Sequence, residues 1–121
     1  MANEIRFRAD LRVVNGNLDV RQQKDKQSDQ TTAGAVSRTQ TIPTSDTVIS
    51  LTGVTAARAV FIENTDATNY IDIGPTSGGA IVPLSRLYPG EVALFPLTPG
   101  VVLRGQANTA SVVMNYMLVE T

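Results

Sequence analysis

Glu63, Asp66 and Asp72, with Asn64, Thr65, Thr68 and Asn69 between them, gather a cluster of oxygen donors within ten residues. Two carboxylates so placed could share acid and base work, and the whole set could hold a hard cation such as calcium. The competing reading is a tight turn, because Asn and Asp side chains bond their own nearby backbone and this segment lies between two apolar runs. A turn is the expectation, and no metal or cofactor is assigned. Gly74-Pro75-Thr76-Ser77-Gly78-Gly79 has the glycines of a phosphate-cradling loop, but neither the Lys-Ser/Thr ending nor a following helix to aim amides at a phosphate. It reads as an inter-strand loop. His and Cys are both absent, which removes the triads and dyads that use them and the usual zinc sites. The chain is therefore not expected to be an enzyme.

What remains is charge. Ten basic and eleven acidic residues leave a net charge of -1, so there is no overall basic footprint for nucleic acid and no polybasic patch for a membrane. The distribution is uneven. Residues 1–38 hold seven of the ten basic groups and five acidic ones, whereas 39–121 hold three basic and six acidic, an asymmetry that suits head-to-tail contact between neighbours or else only solvates a face. The candidate assembly contacts are accordingly Arg6, Arg8, Arg12, Arg21, Lys24, Lys26 and Arg38. Tyr70, Tyr88 and Tyr116 do not interleave with basic residues as a base-stacking platform would require, and without Trp a glycan platform is weakened too. No apolar run approaches the ~20 residues that span a bilayer, and the opening Met1-Ala2-Asn3-Glu4 has no basic and apolar leader pattern. Assembly in a reducing cytoplasm is expected.

These contacts must be carried by strands. Ile5, Phe7, Ala9, Leu11 and Val13 alternate with charged residues, the period-two pattern of a strand with one face buried and one wet. The strand runs into Asn15-Gly16, suited to a type I′ turn, and Leu18 and Val20 resume the alternation, giving a hairpin over 4–22. From 21 to 46 polar residues predominate, and the segment is expected as an extended polar arm or loop that an assembly partner orders. Short apolar runs at 48–51, 59–62, 70–73, 80–82, 92–97, 101–103 and 111–119, punctuated by Gly, Pro, Asn and Asp, have the spacing of sandwich strands. The last run is apolar on both faces, which marks a central strand covered on two sides, by other parts of the chain or by a second subunit. Only 5% of residues are aromatic and the chain has 121 residues. It has room for one aliphatic core, and burial against an oligomer partner would add to it. The expectation is one all-β domain over 1–121, an antiparallel β-sandwich of jelly-roll type with an N-terminal hairpin.

Val14-Asn15-Gly16-Asn17-Leu18, Thr31-Thr32-Ala33-Gly34, Thr39-Gln40-Thr41-Ile42, the stretch from Asn64 to Gly74, Leu87-Tyr88-Pro89-Gly90-Glu91 and Val113-Met114-Asn115-Tyr116 together give a pattern that resembles small phage-encoded virion β-sandwich proteins of the capsid cement, decoration or head-fibre type. The resemblance spans nearly the whole chain as an arrangement of strands and turns, and it transfers no functional residue. It implies a structural virion protein, a capsid cement or decoration protein that stabilises the head by bridging capsid subunits. The partners implied are other copies, as a homotrimer, and the major capsid protein or another virion protein. The alternatives are a head-fibre, neck or tail component, or a receptor- or glycan-binding module.

Overall fold

The computed structural model describes residues 5–30, 34–54, 57–98 and 100–120. Among them 65% are strand and none is helix, and every pairing is antiparallel. By contacts the chain forms two units, Met1–Ala33 with Thr121, and Gly34–Glu120.

The described part of the first unit is a single two-stranded ribbon, β1 (Ile5–Asn15) paired along its whole length with β2 (Leu18–Ser28). Asn15 and Leu18 close the turn, so the two loop residues are Gly16 and Asn17, one position later than the expected Asn15-Gly16. Gly16 has φ 58°, the positive angle that primed hairpin turns demand of their first loop residue and that glycine meets without strain.

The second unit contains β3 (Ala35–Ile42), β4 (Thr47–Val48), β5 (Ala57–Asn64), β6 (Ile71–Ser77), β7 (Ala80–Ile81), β8 (Ser85–Leu87), β9 (Val92–Pro96), β10 (Leu103–Ala107) and β11 (Val112–Glu120). One sheet runs β3-β11-β5-β9; the other runs β4-β10-β6, with β7 and β8 sharing the far edge of β6. Apart from β7, the eight strands fall alternately into the two sheets until β6 and again from β8 onward. Counted from β3, the first sheet reads first, eighth, third, sixth and the second reads second, seventh, fourth, fifth.

The alternation of the sequence builds the core between these sheets. Val112, Met114, Tyr116 and Leu118 of β11 and Val60 and Ile62 of β5 point inward from one sheet; Ile71, Ile73, Leu87, Leu103 and Ala107 point inward from the other. All belong to one apolar cluster, so the sheets pack face to face as a sandwich. Gly105 marks how close the layers come, since a Cβ there would lie 3.4 Å from Ile42 on the opposite sheet. β9, at a sheet edge, ends on Pro96, where the missing N–H disrupts no second ladder.

Much of the segment 21–46, expected as an arm or loop, is strand: 21–28 completes β2 and Ala35–Ile42 is β3. A strand that faces water on both sides, or on one side at a sheet edge, is polar without being irregular, which is why the composition misleads there. Position 4 of the expected hairpin and positions 31–33 lie outside the described residues.

Candidate assembly surfaces

The ribbon has two unlike faces, because residues directly opposite one another in an antiparallel pair share a face. On one face stand Arg6, Arg8, Asp10 and Arg12 of β1 with Asp19, Arg21 and Asp25 of β2. Arg12 is directly opposite Arg21, a like-charge pair that would repel. Each instead turns along the diagonal. Arg12 bonds Asp19 at 3.2 Å, Arg21 bonds Asp10 at 2.6 Å, and Arg6 bonds Asp25, each through two guanidinium nitrogens. All three take the same diagonal, consistent with the strong twist of a two-stranded ribbon. The hydrogen bond from Arg21 holds the Asp10 carboxyl below its ordinary range, and that from Arg6 does the same for Asp25. These pairs are exposed, so each is weak and salt-sensitive.

On the other face Phe7, Ala9, Leu11 and Val13 line up with Lys26, Lys24, Gln22 and Val20. The period-two pattern predicts this face to be buried. Only its open end is: Ile5 is buried and Phe7 half-buried, but every residue from Arg8 to Gln27 is exposed, Leu11 by 68%. The stripe is broken by a hollow of about 260 Å³ beside Ala9, walled by Leu11, Gln22 and Lys24.

A second apolar surface lies on the outer side of the β3-β11-β5-β9 sheet. Register places Ser37, Met117, Phe61 and Leu94 in one row across all four strands, and Thr39, Asn115, Glu63 and Val92 in the next. Met117 and Leu94 are each 41% exposed and Val113 48%. The sequence marks β11 as covered on both faces, and the explanation it favours is cover from within the chain; the outer face is open instead. Phe61 and Met117 wall a depression of about 470 Å³ together with Ser37, Thr39 and Asn115.

Of the seven cations singled out in the sequence, Arg6, Arg12 and Arg21 are engaged in the diagonal pairs, while Arg8, Lys24 and Lys26 have no ion-pair partner among the described residues. Lys24 and Lys26 border the apolar stripe. Arg38 belongs to the second unit, on the core side of β3, where it donates to Ser50 Oγ and to the Thr52 carbonyl. There it joins Gln40, whose side chain bonds the backbone of Val48 and Ser50 as a strand would.

The oxygen-rich segment 63–72 covers the end of β5, the connection over 65–70 and the start of β6. Asp66 accepts from the backbone N–H groups of Thr68 and Asn69, which lowers its pKa. Asn64 is fully buried and donates to the carbonyls of Asn69 and Leu87. Asp72 is held by Arg86 at 2.8 Å. The fold also brings Arg86 to 4.0 Å from the centre of the Tyr70 ring, with Tyr88 edge-on to Tyr70. That juxtaposition of Tyr and Arg was not visible in the sequence, because Tyr70 immediately precedes β6 and Arg86 lies on β8, which pairs with β6.

Comparison with protein-family models, with curated proteins and with solved structures finds no match to this chain. The functional reading therefore rests on its own surfaces.

Proposed function

We propose that this chain is a structural protein of a bacteriophage virion, a capsid cement or decoration protein that binds the outer capsid as a homotrimer and bridges neighbouring capsid subunits. The observation that carries the reading is the β1–β2 ribbon, exposed along both faces from residue 8 to 27 while one of those faces carries an apolar stripe on β1 beside Gln22, Lys24 and Lys26 of β2. An isolated two-stranded ribbon is only marginally stable in water, and contiguous exposed apolar surface marks an interaction site. A ribbon with two exposed faces, and a sandwich with an open sheet face, are suited to bridging neighbours without chemistry. The alternation of strands between sheets, first-eighth-third-sixth over second-seventh-fourth-fifth, supports a jelly roll, an architecture used by viral capsid domains; the step from that fold to a virion role is one of analogy.

Mass spectrometry of gradient-purified particles of the virus that encodes the chain tests the reading. The expected result is the chain in a fixed whole-number ratio to the major capsid protein, with heads that lose resistance to heat when its gene is deleted. A few copies per particle would assign it to a neck, tail or fibre instead, and absence from particles would sink the virion role.

A further inference from the structure

We propose that the apolar stripe of the β1–β2 ribbon in one copy lies on the outer face of the β3-β11-β5-β9 sheet of the next copy, head to tail, in a closed assembly. This deepens the assembling half of the function above and is independent of whether the assembly belongs to a virion.

Three observations converge on a second copy as the occupant. The first is that the two surfaces are of one kind, since each is the face of an antiparallel sheet with large aliphatic side chains open to solvent. Such faces stack at a spacing of about 10 Å. Each also carries a hollow, beside Ala9 on the ribbon and beside Phe61 on the sheet, into which the other's projecting side chains can fit.

The second is charge. Lys24 and Lys26 border the stripe with no ion-pair partner among the described residues. On the sheet face the carboxylate of Glu63 stands between Asn115 and Val92, also with no ion-pair partner among the described residues. Ribbon against ribbon would oppose lysines to lysines. Ribbon against sheet sets lysine beside Glu63, which selects the head-to-tail arrangement by repulsion in one case and attraction in the other.

The third is area. An 11-residue strand spans about 37 Å at ~3.4 Å per residue, and two strands are about 10 Å wide, so the whole ribbon face, apolar stripe and lysines together, offers about 370 Å². One ribbon-on-sheet contact thus covers about 740 Å² over both partners, below the ~1,200 Å² at which specific interfaces begin. In a closed assembly every copy gives its ribbon and receives another. Detaching one copy then breaks two contacts, about 1,480 Å², inside the usual range for a stable interface. Closure is what makes the contact sufficient, and head-to-tail contacts that do not close would grow into filaments.

The chain has no cysteine, so introduced thiols report contacts cleanly. Full-length chains carrying Lys24→Cys and full-length chains carrying Glu63→Cys, both exposed or half-exposed sites, are oxidised separately and as a mixture, one of them tagged to differ in size. A disulfide-linked pair from the mixture alone is expected. A covalent dimer from Lys24→Cys by itself would establish ribbon-on-ribbon contact and overturn the proposal, as would a mixture that stays uncrosslinked. In parallel, light scattering at the highest soluble concentration is expected to give a multiple of the chain mass for the unsubstituted protein. The pair Leu11→Glu and Val13→Glu, or Phe61→Glu alone, is expected to give the single-chain mass with unchanged circular dichroism. Lys24→Glu with Lys26→Glu should weaken assembly about tenfold or more, and adding Glu63→Lys should restore part of it. An unsubstituted chain found as one copy overturns the proposal. A multiple other than three keeps it and removes the trimer, and an assembled chain absent from virus particles keeps it and removes the virion role.

Discussion

Asn64 ends β5 with no exposed surface, and its amide joins three parts of the second unit. Its nitrogen donates to the carbonyls of Asn69 and Leu87, both at 2.9 Å, and its oxygen accepts from the N–H of Asp66 at 2.9 Å. Asn64→Ala would leave buried carbonyls and an amide without partners, and is expected to lower stability by about 2–4 kcal/mol in urea unfolding. Asn64→Asp has nearly the same shape but sets a carboxylate against two carbonyl oxygens. Its folded pKa would be raised, so the variant should be less stable than wild type at neutral pH and should recover as the pH falls and the carboxyl gains a proton to donate. The native carboxyls respond in the opposite sense. Asp10, Asp25 and Asp66 are all held below the ordinary carboxylate range, the first two chiefly by arginine and the third by backbone N–H groups. Their contribution is complete above about pH 4 and fades as the pH drops through their lowered folded values. Carboxyl carbon shifts followed by NMR should titrate below ~3.9 for all three. The turn at Asp66 could be read from the sequence because its bonds reach two and three residues away. The link from Asn64 to Leu87 could not, because it crosses from one sheet to the other.

Strands show the same divide between local and distant causes. β1 was legible from its alternation, but β2 was expected to stop near residue 22 because Gln22 through Ser28 are polar on both faces. A ribbon with no buried side gives no amphipathic signal, so its end is set by pairing with β1 and not by its own pattern. The arginines of β1 were identified as assembly contacts, yet three of the ribbon's four arginines are turned into diagonal pairs; writing out the register from the turn would have set Arg12 near Asp19. β11 was legible as a central strand from its two apolar faces, of which the outer is open to solvent. β8, Ser-Arg-Leu, was missed because it owes its existence to β6, beside which Gly74 leaves room for the backbone of residues 82–84. A Cβ on Gly74 would come within 1.8 Å of the Val82 carbonyl. Gly74→Ala is therefore expected to cost about 3 kcal/mol, measured by thermal melting, with faster amide exchange at Val82 and Leu84 as the strand edge is pushed away.

At the scale of the whole second unit, five of the seven described strand pairs join segments far apart in sequence, as when β3 pairs with β11 and β4 with β10; the other two set β7 and β8 beside the β6 they closely follow. Such wiring makes folding slow, and stopped-flow refolding of the full chain is expected in the millisecond-to-second range and not in microseconds. The sequence supplied the class, all-β with turn-punctuated strands, because alternation and breakers are local. The order of strands and the division into two units were not there to be read, since both are decided by which distant faces bury one another. The pairing of β3 with β11 also brings Gly34 and Glu120 together, with the Glu120 N–H bonded to the Gly34 carbonyl at 3.0 Å. A unit whose two ends meet on adjacent strands does not depend on where its chain is cut. Joined by a short linker from 120 to 34 and reopened between Gly78 and Gly79 in the exposed β6–β7 turn, the second unit should keep its cooperative melt as a circular permutant. For the same reason it could be spliced whole into a surface loop of an unrelated protein with little strain on its host.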